Sequence, residues 1–337
     1  MRRVYITGVA GFIGFHLAKL LLDEGFVVHG MDGMTEYYDV TLKQRRLAGL
    51  KQNSGFGFTE CMLEDNAALF ADISAFRPDA IVHLAAQAGV RYSLEAPRSY
   101  ISANIEGTFN VLEAARELAV KHLLLASTSS VFGANAEMPY RETHKADTQV
   151  SLYAATKKAT EALSHSYAHL WGIPTTAFRF FTVYGPWGRP DMAPFKFTKA
   201  ILAGQTIDVY GQGNMFRDFT YVSDLVRAIR LLIDAAPARP PDAGDIAEGD
   251  SLSPVAPWRV VNVGNGDKVA LGDFIAAIEA ATGKTARRNL MEMQKGDVRA
   301  TWADNSLLRR LTGYSPQTDI RTGMAHFVSW YRDYYRL

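Results

Sequence analysis

Over its first 180 residues the chain alternates short apolar runs with stretches whose apolar positions recur every three to four residues. The runs at 4–7, 27–31, 56–61, 80–84, 123–127 and 175–180 predict buried strands; the periodic stretches at 12–24, 66–76, 100–118 and 152–171 predict helices. Such alternation predicts βαβ units, hence an α/β fold with a doubly wound parallel sheet. Beyond residue 180 the pattern is less regular, with helical periodicity near 195–203, 223–233, 271–281 and 322–335. Residues 181–337 are therefore expected to form mainly a smaller C-terminal α/β domain, with some segments returning to the first. The stretch 235–257 carries five prolines among Gly, Ala and Asp, and is expected to be a long flexible surface loop.

In such a sheet ligands bind beyond the carboxyl ends of the strands. Gly8-Val9-Ala10-Gly11-Phe12-Ile13-Gly14 follows the first run and opens the first helix. A glycine turn there lets a dinucleotide pyrophosphate rest on a helix N-terminus, as in a Rossmann-type domain. Asp32 closes the second run. A carboxylate at that point accepts hydrogen bonds from a ribose 2′-OH and repels a 2′-phosphate, which favours NAD over NADP.

Tyr153 and Lys157 stand four residues apart on one predicted helix, so phenol and ammonium share a face. A nearby cation favours the phenolate, giving Tyr153 the character of a base near neutral pH. Thr128-Ser129-Ser130 closes the fifth run and offers a hydroxyl for the same proton transfer.

Composition removes several alternatives. The formal net charge is +1 and no strongly basic stretch occurs, which argues against a nucleic-acid partner. No apolar run approaches membrane-spanning length, and the run after Met1-Arg2-Arg3 stops at Thr7-Gly8, too short for a signal peptide. Cys61 is the single cysteine, which suits a reducing cytoplasm. No residue cluster suggests a metal.

Taken together, the glycine turn, Thr128, and Tyr153 with Lys157 resemble the extended short-chain dehydrogenase/reductase family over essentially the whole chain. The segments 36–40, 83–91, 151–159, 180–193 and 217–221 are similar to those of its nucleotide-sugar branch that epimerises UDP-glucuronate at C4. The resemblance implies Thr128, Tyr153 and Lys157 as catalytic residues. It implies NAD held by Gly8, Gly11, Phe12, Ile13, Gly14, Asp32, Leu63, Leu84, Ala85, Ala86, Gln87, Asn104 and Ser127, with Tyr153 and Lys157 also touching it. It implies a UDP-sugar held by Gln87, Arg91, Ser129, Ser130, Thr182, Arg189, Arg217 and Asp297. Arg189 is expected to face the uronate carboxylate and Trp187 to wall the sugar pocket. Met62 stands where many relatives carry an aspartate for the adenine amino group. The resemblance also implies a homodimer built on the helices at 100–118 and 152–171.

The activity so implied is NAD-dependent C4 epimerisation of UDP-glucuronate to UDP-galacturonate through a transient 4-keto sugar. Two alternatives stay open: a uronate decarboxylase or nucleotide-sugar 4,6-dehydratase, and a non-catalytic NAD-binding module. Dehydratases place Asp-Glu after the active-site Thr, where this chain has Ser129 and Ser130.

Overall fold

In the computed structural model, which describes residues 2–294 and 296–337, seven parallel strands form one sheet. They are β1 (Arg3–Thr7), β2 (Val27–Asp32), β3 (Phe56–Glu60), β4 (Ala80–His83), β5 (His122–Thr128), β6 (Thr175–Phe180) and a late strand, Trp258–Val263. The spatial order is Trp258–Val263, β6, β5, β4, β1, β2, β3. Every residue of β4, β5 and β6 is buried, as expected of strands covered on both faces. The strand order reverses between β1 and β4, which opens a crevice at their carboxyl ends.

The predicted 152–171 helix is present as Leu152–Trp171, capped by Ser151, whose hydroxyl accepts from the Ala154 amide. The first helix, α1, spans Phe12–Asp23. The stretch expected as one helix over 100–118 is instead a short turn Pro97–Tyr100, a π-helical segment Ile101–Glu106 and a helix Gly107–Glu117.

Several elements escaped the sequence pattern, among them one long helix and one strand of the central sheet. The helix α2 (Val40–Leu50) buries Leu42, Lys43, Arg46, Leu47 and Leu50, so two charged residues interrupt its inner stripe. The Trp258–Val263 strand holds Arg259 and Asn262 among its buried positions, which hides it among the polar residues that precede it. It pairs with β6 along its full length.

Beyond β6, three small two-stranded sheets and the helices Ala193–Leu202, Leu271–Thr282 and Ile320–Tyr335 pack around Phe219, Phe274 and Phe327. The segment 235–257 contains one short 3-10 turn, Ala243–Asp245. Its end is tied to the Leu152–Trp171 helix by His165 Nε2 to Ser253 Oγ (2.8 Å) and His169 Nδ1 to the Val255 carbonyl (2.8 Å). No described helix is long and apolar enough to cross a membrane.

Candidate active site

A cleft of about 1150 Å³ runs over the carboxyl ends of β1, β2, β4, β5 and β6 and continues into the C-terminal half. At its start the backbone turns back on itself. The Gly8 and Val9 amides donate to the Met31 carbonyl (2.7 and 3.1 Å), and the Gly11 amide donates to the Gly8 carbonyl (3.0 Å). Gly8 has φ +73° and lies against the backbone of Ala85, so a side chain would meet both backbone strain and a clash. A Cβ at Gly14 would strike the Gly8 carbonyl. Gly11 caps α1 without a side-chain hydrogen bond, and the first turn holds no acidic residue. The helix therefore presents free amides to an anion. This cradle fits a dinucleotide pyrophosphate.

Asp32 lies at the end of β2. Its Oδ2 accepts from the Ala10 amide (3.2 Å) and its Oδ1 from the Met34 amide (2.9 Å), with Lys43 Nζ 3.6 Å from Oδ1. Phe12, Ile13 and Leu63 line the same stretch of wall, and Met62 is 43% exposed there, its sulfur over Gly33. Leu84, Ala85, Ala86 and Gln87 follow β4. The Leu84 and Ala85 amides both donate to Thr7 Oγ1 (3.1 Å each), and His83 beneath bridges Thr7 Oγ1 (2.8 Å) and Thr108 Oγ1 (3.0 Å). Burial, aided by the Lys157 charge, pushes His83 down to about 3, so it stays a neutral strut.

Asn104 departs from expectation. It is fully buried behind the cleft wall. Its Oδ1 accepts from the Gln87 amide (2.8 Å), and its Nδ2 donates to the Gln87 carbonyl (3.1 Å) and Thr156 Oγ1 (3.0 Å). It shapes the Gln87 loop rather than facing a ligand.

Ser127, Thr128, Ser129 and Ser130 close β5 on the cleft, opposite Tyr153 and Lys157. Thr128 Oγ1 accepts from the Ser130 amide (3.2 Å). The Tyr153 ring stands edge-on to Tyr100, centroids 6.1 Å apart. Burial raises the Tyr153 phenol above its ordinary value, while the Thr128 hydroxyl and the Arg189 charge oppose that rise. Lys157 is itself lowered to about 8 by burial, with Glu161 acting against the drop.

Glu161 anchors this floor from below. It accepts from Arg179 Nε and Nη2 (2.9 Å each), Ser127 Oγ (2.7 Å) and Lys158 Nζ (3.0 Å). Burial works against its charge, yet Arg179 and the other donors hold it down to about 2. Glu161→Ala leaves the buried Arg179 without its carboxylate partner, with only the Glu142 carbonyl and the Phe132 ring beside it, and we expect a loss of about 3–5 kcal/mol at pH 7. Because its folded pKa is depressed, the contribution of Glu161 is present above about 4.5 and lost as pH falls towards about 2. Thermal unfolding of wild type and mutant should therefore converge over that interval. A constant difference would show that packing, not charge, is lost.

The far end of the cleft gathers Arg91, Thr182, Arg189, Arg217 and Asp297. Arg91 Nη2 pairs with Asp297 Oδ2 (3.2 Å), and its guanidinium lies 4.8 Å from the Tyr210 ring centroid. Arg217 Nη1 donates to the Phe216 carbonyl (2.8 Å). Arg189 is engaged by Asp191, two residues further along the same loop. Its Nε donates to Asp191 Oδ1 (3.0 Å) and its Nη2 to Asp191 Oδ2 (2.6 Å). Tyr37 Oη also donates to Asp191 (3.2 Å). Trp187 corrects a further expectation. Its ring turns away from the sugar side and packs on Phe15, Trp330 and Tyr334.

A pyrophosphate cradle, a carboxylate at the end of β2 and a Thr-Tyr-Lys set over one parallel sheet define an NAD-dependent enzyme of the epimerase/dehydratase class. The chain belongs to the extended short-chain dehydrogenase/reductase family, and residues 5–327 match the family model described as GDP-mannose 4,6 dehydratase. Among its relatives, it is 54% identical to a probable UDP-glucuronate 4-epimerase of Rhizobium meliloti (strain 1021), over 99% of this chain and 98% of that one. It is 41% identical to the UDP-glucuronate 4-epimerase of Thermodesulfobacterium geofontis, over 97% and 95%. Its structure resembles the crystal structure of UDP-glucuronic acid 4-epimerase from Bacillus cereus in complex with UDP-glucuronic acid and NAD. That match has a TM-score of 0.87, 30% identity, and coverage of 99% of this chain and 100% of that one.

Proposed function

We propose that this chain is a UDP-glucuronate 4-epimerase, interconverting UDP-glucuronate and UDP-galacturonate with NAD as a bound, regenerated cofactor. The observation that carries this reading is one continuous cleft. It runs from the glycine turn, past Thr128, Tyr153 and Lys157, to Arg189. The relatives named above support it.

The glycine turn and Asp32 would hold NAD, with Leu84 to Gln87 and Ser127 lining the cleft that receives it. When bound, NAD takes up the C4 hydride and returns it to the opposite face of the sugar. Tyr153 removes the O4 proton and later gives it back, with Thr128 sharing its hydrogen bond and Lys157 supplying positive charge to the site. Between the two transfers the keto sugar turns about its pyrophosphate link, with Arg217 on the pyrophosphate and Asp297 on the uridine ribose. The 4-keto uronate is a β-keto acid and loses CO₂ when its carboxylate aligns with the carbonyl π system. Arg189, Thr182, Ser129 and Ser130 hold the carboxylate out of that alignment.

The test is direct. The purified protein is incubated with UDP-glucuronate and the products are read by NMR. UDP-galacturonate is expected. A UDP-pentose with CO₂ would make it a decarboxylase, and no turnover would make it a binding module. A dehydratase is disfavoured because Ser129 and Ser130 supply no acid and base for water elimination.

Met62 gives a second check. A thioether accepts poorly from an amino group, so Met62→Asp should tighten NAD by roughly 1 kcal/mol, one hydrogen bond. Calorimetric titration that finds equal or weaker binding would place the adenine away from this side chain.

The exposed apolar side chains of Phe109, Leu170 and Trp171 lie on the helices Gly107–Glu117 and Leu152–Trp171. They support a homodimer in which these two helices pair with their copies. The single cysteine supports a cytoplasmic setting.

A further inference from the structure

Among the described residues, Arg46 is the largest side chain wholly shielded from solvent. Its partners are all uncharged. Nη1 donates to the Ala10 carbonyl (3.0 Å) and to Tyr38 Oη (2.8 Å), and Nη2 donates to the Trp187 carbonyl. Burying a guanidinium is costly, and neutral acceptors offset that cost less well than a carboxylate. Nothing in the Tyr153 chemistry uses Arg46, so the arrangement calls for another role.

Its partners lie in two places. Ala10 belongs to the glycine turn, and its amide is held by Asp32. Trp187 belongs to the loop from Gly185 to Asp191 that carries Arg189. This loop is irregular: Gly185 has φ +142° and Trp187, a non-glycine residue, has φ +62°. A left-handed conformation at Trp187 persists only where the surroundings enforce it. The enforcing contacts come from the cofactor half. His16 on α1 meets the Pro186 carbonyl (2.9 Å), and Arg46 on α2 meets the next carbonyl. Burial pushes His16 down to about 4, so it is neutral near pH 7 and Nε2 carries the proton it donates. The Trp187 ring packs on Phe15 of the same α1.

We propose that Arg46 is a positioning residue for substrate selection. It locks the Arg189 loop to the dinucleotide turn, so that Arg189 is correctly placed for the sugar carboxylate only while the lock is made. The inference rests on the reading that Arg189 receives a uronate. A rigid, planar fork is suited to spanning two carbonyls on separate segments, whereas a lysine ammonium offers one point of attachment.

The test uses Arg46→Met, Arg46→Lys and His16→Phe in the full chain. Bound NAD is measured by absorbance, and the Kd of UDP-glucuronate and of UDP-glucose by calorimetry. Exchange of the backbone amides at 187–192 is followed by mass spectrometry. Arg46→Met should weaken UDP-glucuronate at least about tenfold and UDP-glucose less than about twofold, since only the uronate needs Arg189. Bound NAD should stay near one per chain, and the loop amides should exchange faster. Arg46→Lys should recover part of the selectivity, and His16→Phe should shift it the same way but less. If Arg46→Met fails to fold, Arg46→Lys and His16→Phe decide. Equal weakening of both sugars, full wild-type selectivity in Arg46→Lys and His16→Phe, or unchanged amide exchange would overturn the proposal. A wild type with no preference for UDP-glucuronate would instead overturn the functional reading, and amide exchange alone would then judge the lock.

Discussion

Tyr153→Phe should lower turnover of UDP-glucuronate at least about a hundredfold, the usual scale for losing a general base. The substitution removes one oxygen from a side chain at the cleft wall. The edge-on contact with Tyr100 needs only the ring, so fold and NAD content should stay near wild type. The effect belongs in kcat, because the O4 proton is transferred in the chemical step. Single-turnover measurement of bound NADH would sharpen the result, since without a base no 4-keto sugar forms and no hydride moves. Turnover within a few-fold of wild type would move the base elsewhere, with the Thr128 hydroxyl as the nearest alternative.

Arg189→Ala should cost UDP-glucuronate on the order of 2–4 kcal/mol in kcat/KM, the range for removing one partner of a buried charge pair. The Asp191 contact makes the upper end the better expectation. Asp191 occupies the Nε and Nη2 edge of Arg189, leaving the Nη1 edge for an incoming carboxylate. Arg189 also holds the Asp191 carboxyl below its usual range. Without Arg189, that carboxylate faces the uronate with no cation between them. Arg189→Ala with Asp191→Asn should therefore recover part of the loss, and both variants should handle UDP-glucose far better than UDP-glucuronate relative to wild type. The freed keto intermediate should also release CO₂, detectable as UDP-pentose. Equal losses for the two sugars would make Arg189 structural and pass its role to Arg91 or to Ser129 and Ser130.

What could be read from the chain follows from the range of the interactions involved. The glycine turn and the Tyr153–Lys157 pair are local: their meaning depends on residues three to six positions apart on a strand, turn or helix. The parallel sheet was legible because fully buried strands are nearly uniform apolar runs. Asp191 was not legible, because a loop offers no periodicity from which to infer that residues two apart will face each other. Arg46 was further from reach. It lies 141 residues from Trp187 in sequence, and on α2 a buried cation reads as a break in the apolar stripe. The Asn104 expectation failed for a related reason. Sequence placed a polar side chain near the cleft, but the π-helical turn at Ile101–Glu106 accompanies its placement behind the Gln87 loop.

The late return of the chain to the central sheet bears on how the molecule can be divided. The Trp258–Val263 strand is paired with β6 at six positions, after the chain has already built much of the C-terminal half. A gene fragment ending at residue 180 would leave β6 as a bare edge, with the backbone groups that now pair with the late strand unmatched, the kind of surface that recruits other chains into aggregates. The N-terminal sheet is thus completed by residues that come after much of the C-terminal half. Denaturant should melt the two together in a single transition, and a fusion or split-protein design would have to cut outside residues 3–263.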